Sequence, residues 1–135
     1  MTQAVAVLDT NAMLLPFTEG TRLEEGLEAL FEDIELVVPS CVRMELDQIA
    51  ARSGNTEVAR HAKAAAKLAG KWRNEPTKLT GDDGILEVAR RLGAVVVTND
   101  RVLQGECAKS GLKVVVAREH GRLALLRAGS KGRSG

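Results

Sequence analysis

Short apolar runs alternate with amphipathic stretches along the chain. The runs Ala4 to Leu8, Leu36 to Val38, Ala94 to Val97 and Lys113 to Val116 lack polar alternation, which is typical of strands buried on both faces. Apolar residues at helical spacing mark the segments between these runs. Strands that alternate with helices predict a three-layer α/β/α sandwich around a central parallel sheet of four or five strands.

Polar and special residues mark where the first elements end. The sequence Asp9-Thr10-Asn11 after the first strand is expected to form a turn. Pro16 should then prevent the apolar stretch 12–17 from forming a long regular helix, because proline lacks the amide donor.

The amphipathic helices carry start and stop signals. Thr21 and Glu24 form a capping box for the first helix, whose apolar spacing continues to Ile34. Ser40 is a good N-cap for the second helix. Three further helices are expected over these segments: Glu57 to Arg73, Thr80 to Gly93, and after Asp100 to about Ser110.

Composition refines this picture. The 135 residues fit one domain, which we expect over 1–128, followed by a disordered Gly/Ser-rich basic tail at 129–135. Only 2% of residues are aromatic, which argues against binding single-stranded nucleic acid by aromatic stacking. No apolar stretch is long enough for a membrane span. Without a signal peptide, Cys41 and Cys107 indicate reduced thiols in a cytoplasmic protein.

Acidic residues occur where strands meet helices. Asp9 follows the first strand, Glu45 lies in the helix after the second, Asp82 and Asp83 lie in the first turn of a later helix, and Asp100 follows the third strand. Right-handed crossovers would bring them to one edge of the sheet. Close carboxylates repel and their pKa values rise, a cost that a bound cation removes. Without His or Cys, the set favours Mg²⁺ or Mn²⁺ and metal-assisted phosphodiester hydrolysis.

Each acid also has a purely structural interpretation. Asp9 could cap a turn, and Glu45 could be a solvated helix residue. Asp82 and Asp83 could be first-turn acids that the helix dipole favours, and Asp100 could be a helix N-cap. Each position alone is weak, and their joint placement at one edge is what favours a site.

The motifs around these acids resemble those of the PIN-domain nucleases, over about residues 4–125. The shared motifs, specific when taken together, are Leu8-Asp9-Thr10-Asn11, Pro39-Ser40 leading to Glu45-Leu46, Gly81-Asp82-Asp83-Gly84-Ile85-Leu86, and Val97-Thr98-Asn99-Asp100-Arg101-Val102-Leu103. In detail the chain looks most like small archaeal-type PIN proteins related to the endonuclease that processes small-subunit rRNA precursors. VapC-type toxin ribonucleases are similar in sharing the four acids.

The resemblance implies a metal-dependent endoribonuclease that leaves a 3′-hydroxyl and a 5′-phosphate. The catalytic acids and metal ligands carry over to four positions: Asp9, Glu45, Asp82 and Asp100. Asp82 is preferred over Asp83 because it lies seven residues before Ala89, and Asp83 would be an auxiliary ligand. The small polar residues that orient the acids by hydrogen bonds carry over to Thr10, Asn11 and Thr98.

The expected partners follow from the same resemblance. The substrate would be single-stranded or structured RNA, with an rRNA precursor as one candidate. The cations that could contact its phosphates are Arg101, Arg118, Arg122, Lys63 and Lys67, each of which could equally be a solvated surface residue. A toxin would also bind an antitoxin protein. Apolar Leu14, Leu15 and Phe17 could form a homodimer interface, although a place in the core is the favoured interpretation.

Other functional classes fit the first loop less well. A dinucleotide-binding domain needs a Gly-x-Gly-x-x-Gly turn where Asp-Thr-Asn stands. An aspartyl-phosphate phosphatase would carry a second acid at Asn11, and a receiver-type domain would need paired acids and a later lysine. A PIN fold that binds RNA with little nuclease activity stays open as an alternative.

Overall fold

The computed structural model describes residues 3–52 and 54–126, which form six strands and six α-helices. In chain order the elements are β1 Ala4–Leu8, α1 Thr10–Thr18, α2 Leu23–Phe31, β2 Ile34–Pro39, α3 Ser40–Arg52, α4 Glu57–Ala69, β3 Arg73–Glu75, α5 Gly81–Leu92, β4 Val95–Val97, α6 Arg101–Lys109, β5 Val114–Ala117 and β6 Leu123–Leu126. A 3₁₀ turn, Glu119–Gly121, precedes β6. The predicted tail at 129–135 and the end of the predicted 1–128 domain lie outside the described residues.

The strands form one sheet in the order β3-β2-β1-β4-β5-β6. Every neighbouring pair is parallel except β5 and β6, which are antiparallel. Val7 of β1 lies beside Val37 of β2 on one side and Val96 of β4 on the other. The predicted α/β class with a central, mainly parallel sheet is confirmed.

The sheet has more strands than the four or five predicted, because both edge strands lacked a clear sequence signal. β3 is the polar tripeptide Arg73–Glu75, which falls where the sequence predicted the end of a helix. The α4 helix instead ends at Ala69, before Gly70. β6 pairs only with β5, and its four residues follow a run of charged residues.

The turn predicted at Asp9-Thr10-Asn11 is wrong, because α1 begins at Thr10, directly after Asp9. Asp9 is the N-cap of this helix, and its side chain accepts a hydrogen bond from the amide of Ala12. Pro16 lies inside the nine-residue helix. Its ring removes the amide that would donate to the carbonyl of Ala12, and the helix ends two residues later, at Thr18.

Two predicted caps are also wrong, since tertiary partners take the side chains concerned. The hydroxyl of Thr21 donates to the carbonyl of Gly121 at 3.0 Å, and α2 begins after Arg22 without a side-chain cap. Ser40 Oγ accepts from the amide of Thr77 at 3.0 Å and donates to its carbonyl at 3.3 Å. Ile34, predicted to end the first amphipathic helix, begins β2.

The core is aliphatic, as expected for a chain with so few aromatic residues. Its largest fully buried side chains are Leu8, Met13, Leu27, Leu46, Leu103, Val7, Val37, Val38, Val42, Val88, Val96 and Val97. Cys41 and Cys107 are buried free thiols. Gly93 ends α5 in the left-handed conformation with φ 62°, which glycine adopts at many helix C-termini. Among the described helices, none is long and apolar enough to cross a membrane.

Candidate active site

The site lies where the strand order reverses, between the carboxyl ends of β1 and β4. The chain runs from β1 outward to β3 and then returns past β1 to β4. Open α/β sheets bind ligands in the crevice at such a switch point. Asp9 follows β1 directly, and its amide donates to the carbonyl of Val97 at the end of β4 at 3.3 Å. This contact places Asp9 beside the Thr98-Asn99-Asp100 loop.

Asp9 is the buried member of the site, with only 5% of its surface exposed. Its Oδ1 accepts from the amide of Ala12 at 2.7 Å. Burial raises the pKa of Asp9 to about 6, although hydrogen bonds from Thr98 and Ala12 oppose the rise. The negative charges of Asp100 and Asp82 raise it further. The negative charge of the ionised carboxylate is therefore poorly compensated, and a bound cation would offset it.

Asp82 and Asp100 approach Asp9 from two further elements. Asp100 is the N-cap of α6, where Oδ1 accepts from the amide of Leu103 at 2.9 Å. Asp82 lies in the first turn of α5. Partial burial raises its pKa, and the charges of Asp100, Asp83 and Glu45 add to the rise. The structure thus brings the sequence-predicted acids close enough to repel one another.

Glu45 is held by one of the predicted supporting residues. The hydroxyl of Thr10 donates to Oε1 of Glu45 at 2.7 Å, which connects the start of α1 to α3. Thr98 is likewise close to the acids, since its hydroxyl accepts from the amide of Asp100 at 3.0 Å. The position of Asn11 differs from the prediction, because its side-chain amide forms no hydrogen bond to an acid within the described residues. It faces a neighbouring cavity instead.

Sequence reasoning missed two residues of α6 that face the site. Glu106 is half-buried, and its charge raises the pKa of Asp82. Cys107 is fully buried, and burial raises the pKa of its thiol to about 11, with Asp82, Asp9 and Glu106 contributing. Helical spacing could have found Glu106, because it lies three residues after buried Leu103 and next to Cys107.

The donor set matches the chemistry of a hard divalent cation, because it contains carboxylate oxygens and neither His nor an ionised thiol. In residues 3–52 and 54–126, however, no three His, Cys, Asp or Glu side chains surround a common point. The predicted set of five ligands therefore does not converge on one ion. Asp9, Asp100 and Glu45 are each anchored by one oxygen. Mg²⁺ commonly takes one or two carboxylates and keeps several waters, so the residues fit such an ion.

The predicted RNA-contacting cations fall into two groups. Arg101 and Arg118 line a cleft of about 490 Å³ that also includes Gln104 and begins at Asn99, beside the acids. The other three, Arg122, Lys63 and Lys67, are exposed but do not line it. Leu14, Leu15 and Phe17 are half-buried and pack against the core, in line with the favoured interpretation from the sequence.

Comparison with known proteins identifies a family for this chain. The family described as "PIN like domain" matches residues 6–120. Ribonuclease VapC9 of Archaeoglobus fulgidus is 26% identical over 119 residues, which cover 87% of this chain and 86% of that protein.

Solved structures share the fold at low sequence identity. The PIN domain endonuclease Utp24 superposes with a TM-score of 0.73 and 21% identity, over 91% of each chain. VapBC2 from Rickettsia felis, solved bound to a DNA fragment from its promoter, gives a TM-score of 0.56 and 15% identity, over 83% of this chain and 98% of that one. The family match spans most of the residues, and the fold agrees with it, so this chain belongs to the PIN-like domain family.

Proposed function

We propose that this protein is an endoribonuclease that hydrolyses RNA phosphodiester bonds with Mg²⁺ or Mn²⁺. The observation that carries the proposal is the buried carboxylate of Asp9, which faces Asp82 and Asp100 at the switch point of the sheet. A buried acid among like charges costs stability unless a cation accompanies it. Its location beside a cleft with two arginines suits an anionic substrate.

Asp9, Asp82 and Asp100 are the residues that would hold the ion, one or two of them directly and the rest through its water ligands, with Glu45 and Asp83 near them. When bound, the ion would offset the carboxylate charge and supply Lewis acidity for phosphodiester hydrolysis. The chain's own part is orientation. The Ala12 amide holds one oxygen of Asp9, and the Thr10 hydroxyl holds one oxygen of Glu45, so each carboxylate presents a defined edge.

The cleft lined by Arg101 and Arg118 is the proposed path of the RNA backbone away from the acids. Both side chains are exposed, and the cleft reaches Asn99, the neighbour of Asp100 in the chain. Phosphates in the cleft would be drawn by the two guanidinium groups, which can bind phosphate oxygens in bidentate fashion. Lys63 and Lys67 on α4 are weaker candidates because they do not line this cleft.

The test is the Asp9→Asn variant, assayed for RNA cleavage with Mg²⁺ and with Mn²⁺. Asparagine caps helices about as well as aspartate, so the fold should persist. We expect cleavage to fall by at least about 100-fold, because the buried charge that would hold the ion is lost. Asp47→Asn, at an exposed position of α3, is the matched control and should cleave like the wild type. Cleavage by Asp9→Asn at the wild-type rate would contradict the proposal.

Two biological roles remain as alternatives within this proposal. The motifs resemble those of the rRNA-processing enzymes, whereas the 26% identity to a VapC ribonuclease supports a toxin with an antitoxin partner. Cleavage sites can be mapped on rRNA precursors, with Asp9→Asn as the inactive control. Cleavage at one specific site would support a role in rRNA processing. A co-transcribed small partner protein that blocks cleavage would support the toxin. RNA binding without cleavage would instead support an RNA-binding module.

A further inference from the structure

A second cavity lies beside the acids and adjoins the arginine cleft, with which it shares Asn99 and Ala117. Its volume is about 260 Å³, and it opens between α1 and the ends of β4 and β5. The residues that form it include Asn11, Leu14, Leu15, Thr18, Thr98 and Ala117. Thr98 lines this cavity and also contacts the acids, since its hydroxyl accepts a hydrogen bond from the Asp100 amide at 3.0 Å.

The walls of this cavity combine apolar surface with one free amide. Leu14 and Leu15 are half-buried and form an apolar wall. The hydroxyl of Thr18 is already used, since it donates to the carbonyl of Leu14 at 3.2 Å. No described residue hydrogen-bonds to the side chain of Asn11. Its amide can therefore donate and accept toward a ligand, which is the pattern that pairs with the edge of a nucleobase.

Asn99 and Ala117 form a ridge between the cavity and the arginine cleft, and two hydrogen bonds join these two residues. The side chain of Asn99 accepts from the amide of Ala117 at 2.7 Å and donates to its carbonyl at 3.1 Å, so it clamps the loop after β4 to the end of β5. Asn99 and Ala117 line both the cavity and the arginine cleft. A nucleotide strand crossing the ridge could place a base on one side and phosphates on the other.

We propose that this cavity is a nucleobase-binding subsite that takes one unpaired base of the RNA next to the cleaved phosphate. The inference rests on the proposed nuclease function and adds how the substrate is positioned. The cavity is smaller than the roughly 300–1,000 Å³ of pockets for drug-sized ligands, so it suits one base. Splayed bases that stack on side chains and hydrogen-bond at their edges are the usual targets of RNA recognition.

The test combines a substitution that fills the cavity with RNA substrates that lack one base. Thr18 is exposed at the end of α1, so Thr18→Trp adds bulk at the mouth without cutting into the core. Wild type and Thr18→Trp are compared by kcat/KM on one oligoribonucleotide and on copies that carry an abasic ribonucleotide at each position around the cleavage site. Leu30→Trp, at an exposed position of α2 outside the cavity, is the control for added bulk.

The expected result is non-additive. The wild type and Leu30→Trp should lose about tenfold in kcat/KM at one abasic position next to the cleaved bond, and little elsewhere. On the intact oligonucleotide, the kcat/KM of Thr18→Trp should already be about tenfold below that of the wild type. Removing the base at the sensitive position should then lower the kcat/KM of Thr18→Trp no further. A purely structural effect of Thr18→Trp would instead add to the abasic loss at that position, and would overturn the proposal.

A binding measurement gives a second readout that needs no cleavage. The Asp9→Asn protein is titrated with oligoribonucleotides that carry fluorescent 2-aminopurine at one position at a time. The subsite is supported if fluorescence changes only at the position found in the abasic scan. The change should be lost in the double variant that carries both Asp9→Asn and Thr18→Trp. A flat abasic scan by an enzyme that does cleave RNA would overturn the subsite alone. Absence of both cleavage and RNA binding would overturn the subsite and the proposed function together.

Discussion

Asp9 combines two roles that compete at the scale of a single residue. It caps α1 through the Ala12 amide, and it is the buried carboxylate of the site. The cap alone would be satisfied by asparagine or serine, without the cost of a buried charge. The carboxylate is therefore a feature whose benefit we expect to lie in ligand binding, in line with the trade between stability and function at active sites.

Stability without metal should depend on pH through Asp9. Burial raises the pKa of Asp9 to about 6 in the folded protein, against 3.8 for an aspartate free in water. Because the folded pKa is the higher one, Asp9 favours folding most below about pH 4, and this contribution is lost as the pH rises through 6. Asp9→Asn should therefore raise the free energy of unfolding by about 1–3 kcal/mol at pH 7.5 and change it little at pH 4.

Urea unfolding at the two pH values, in the presence of a chelator, measures this difference. Asp47→Asn is the control for losing a carboxylate at an exposed site. Added Mg²⁺ should stabilise the wild type and leave Asp9→Asn unchanged, because only the former keeps the buried charge. An Asp9→Asn protein no more stable than wild type at pH 7.5 would show that burial does not strain this carboxylate.

The position of α5 is decided by one close contact at the scale of elements. Gly84 lies in the helix that carries Asp82, and a Cβ there would come within 2.7 Å of Cys41 Sγ and of the Leu79 carbonyl oxygen. Glycine thus lets α5 pack closely against α3 and against the loop that precedes α5. This approach is what keeps Asp82 near Glu45, which lies on α3.

Gly84→Ala should destabilise the fold by about 1–3 kcal/mol, because an overpacked contact forces the helix to shift. Gly105 in α6 is the matched control, since a Cβ there would meet nothing within 4 Å. Gly105→Ala should stabilise by about 0.5–1 kcal/mol through helix propensity alone. Chemical denaturation of both variants checks the pair, and equal effects of the same sign would contradict the close-contact argument.

Edge strands show why elements with little burial escape sequence analysis. β3 is polar, yet its Glu75 is buried and accepts hydrogen bonds from Arg73 and from Arg91 of α5. Arg91 also binds Glu87 at 3.0 Å, so an ion-pair network holds this edge in place of an apolar face. The contact that joins this strand to α5, from Arg91 to Glu75, spans 16 residues of the chain, and no local pattern predicts it.

The net charge of +1 hides an uneven distribution at the scale of the whole molecule. Acids gather at the switch point, and two arginines line the neighbouring cleft. Affinity for RNA should therefore depend on salt through few contacts, because each phosphate that an arginine neutralises releases counterions.

Arg101→Gln and Arg118→Gln should each weaken RNA binding and reduce the slope of log K against log[salt] by about 0.7 to 1. Lys63→Gln and Lys67→Gln remove the same charge from α4 and should leave the slope unchanged. The affinities are measured over a range of salt concentrations in the Asp9→Asn background, so that the RNA stays intact. A larger change in slope for the lysine variants would place the RNA path along α4 instead.

What the sequence determined by itself is the class of fold, and it also predicts which acids should stand at the edge of the sheet. The buried apolar runs at β1, β2, β4 and β5 are continuous enough to predict a parallel sheet, and Asp9, Glu45, Asp82 and Asp100 stand in recognisable motifs at its expected edge. These features are local, because each depends on residues that are neighbours in the chain.

Only the tertiary structure decided how the side chains around the acids are used. Thr21 and Ser40 looked like caps, yet each bonds to a distant backbone group. Asn11 faces a cavity rather than the acids, and Glu106 joins the site from α6. The physical reason is the same in each case. Hydrogen bonds, burial and charge repulsion act between atoms that are close in space, and a linear pattern does not record which distant residues those are.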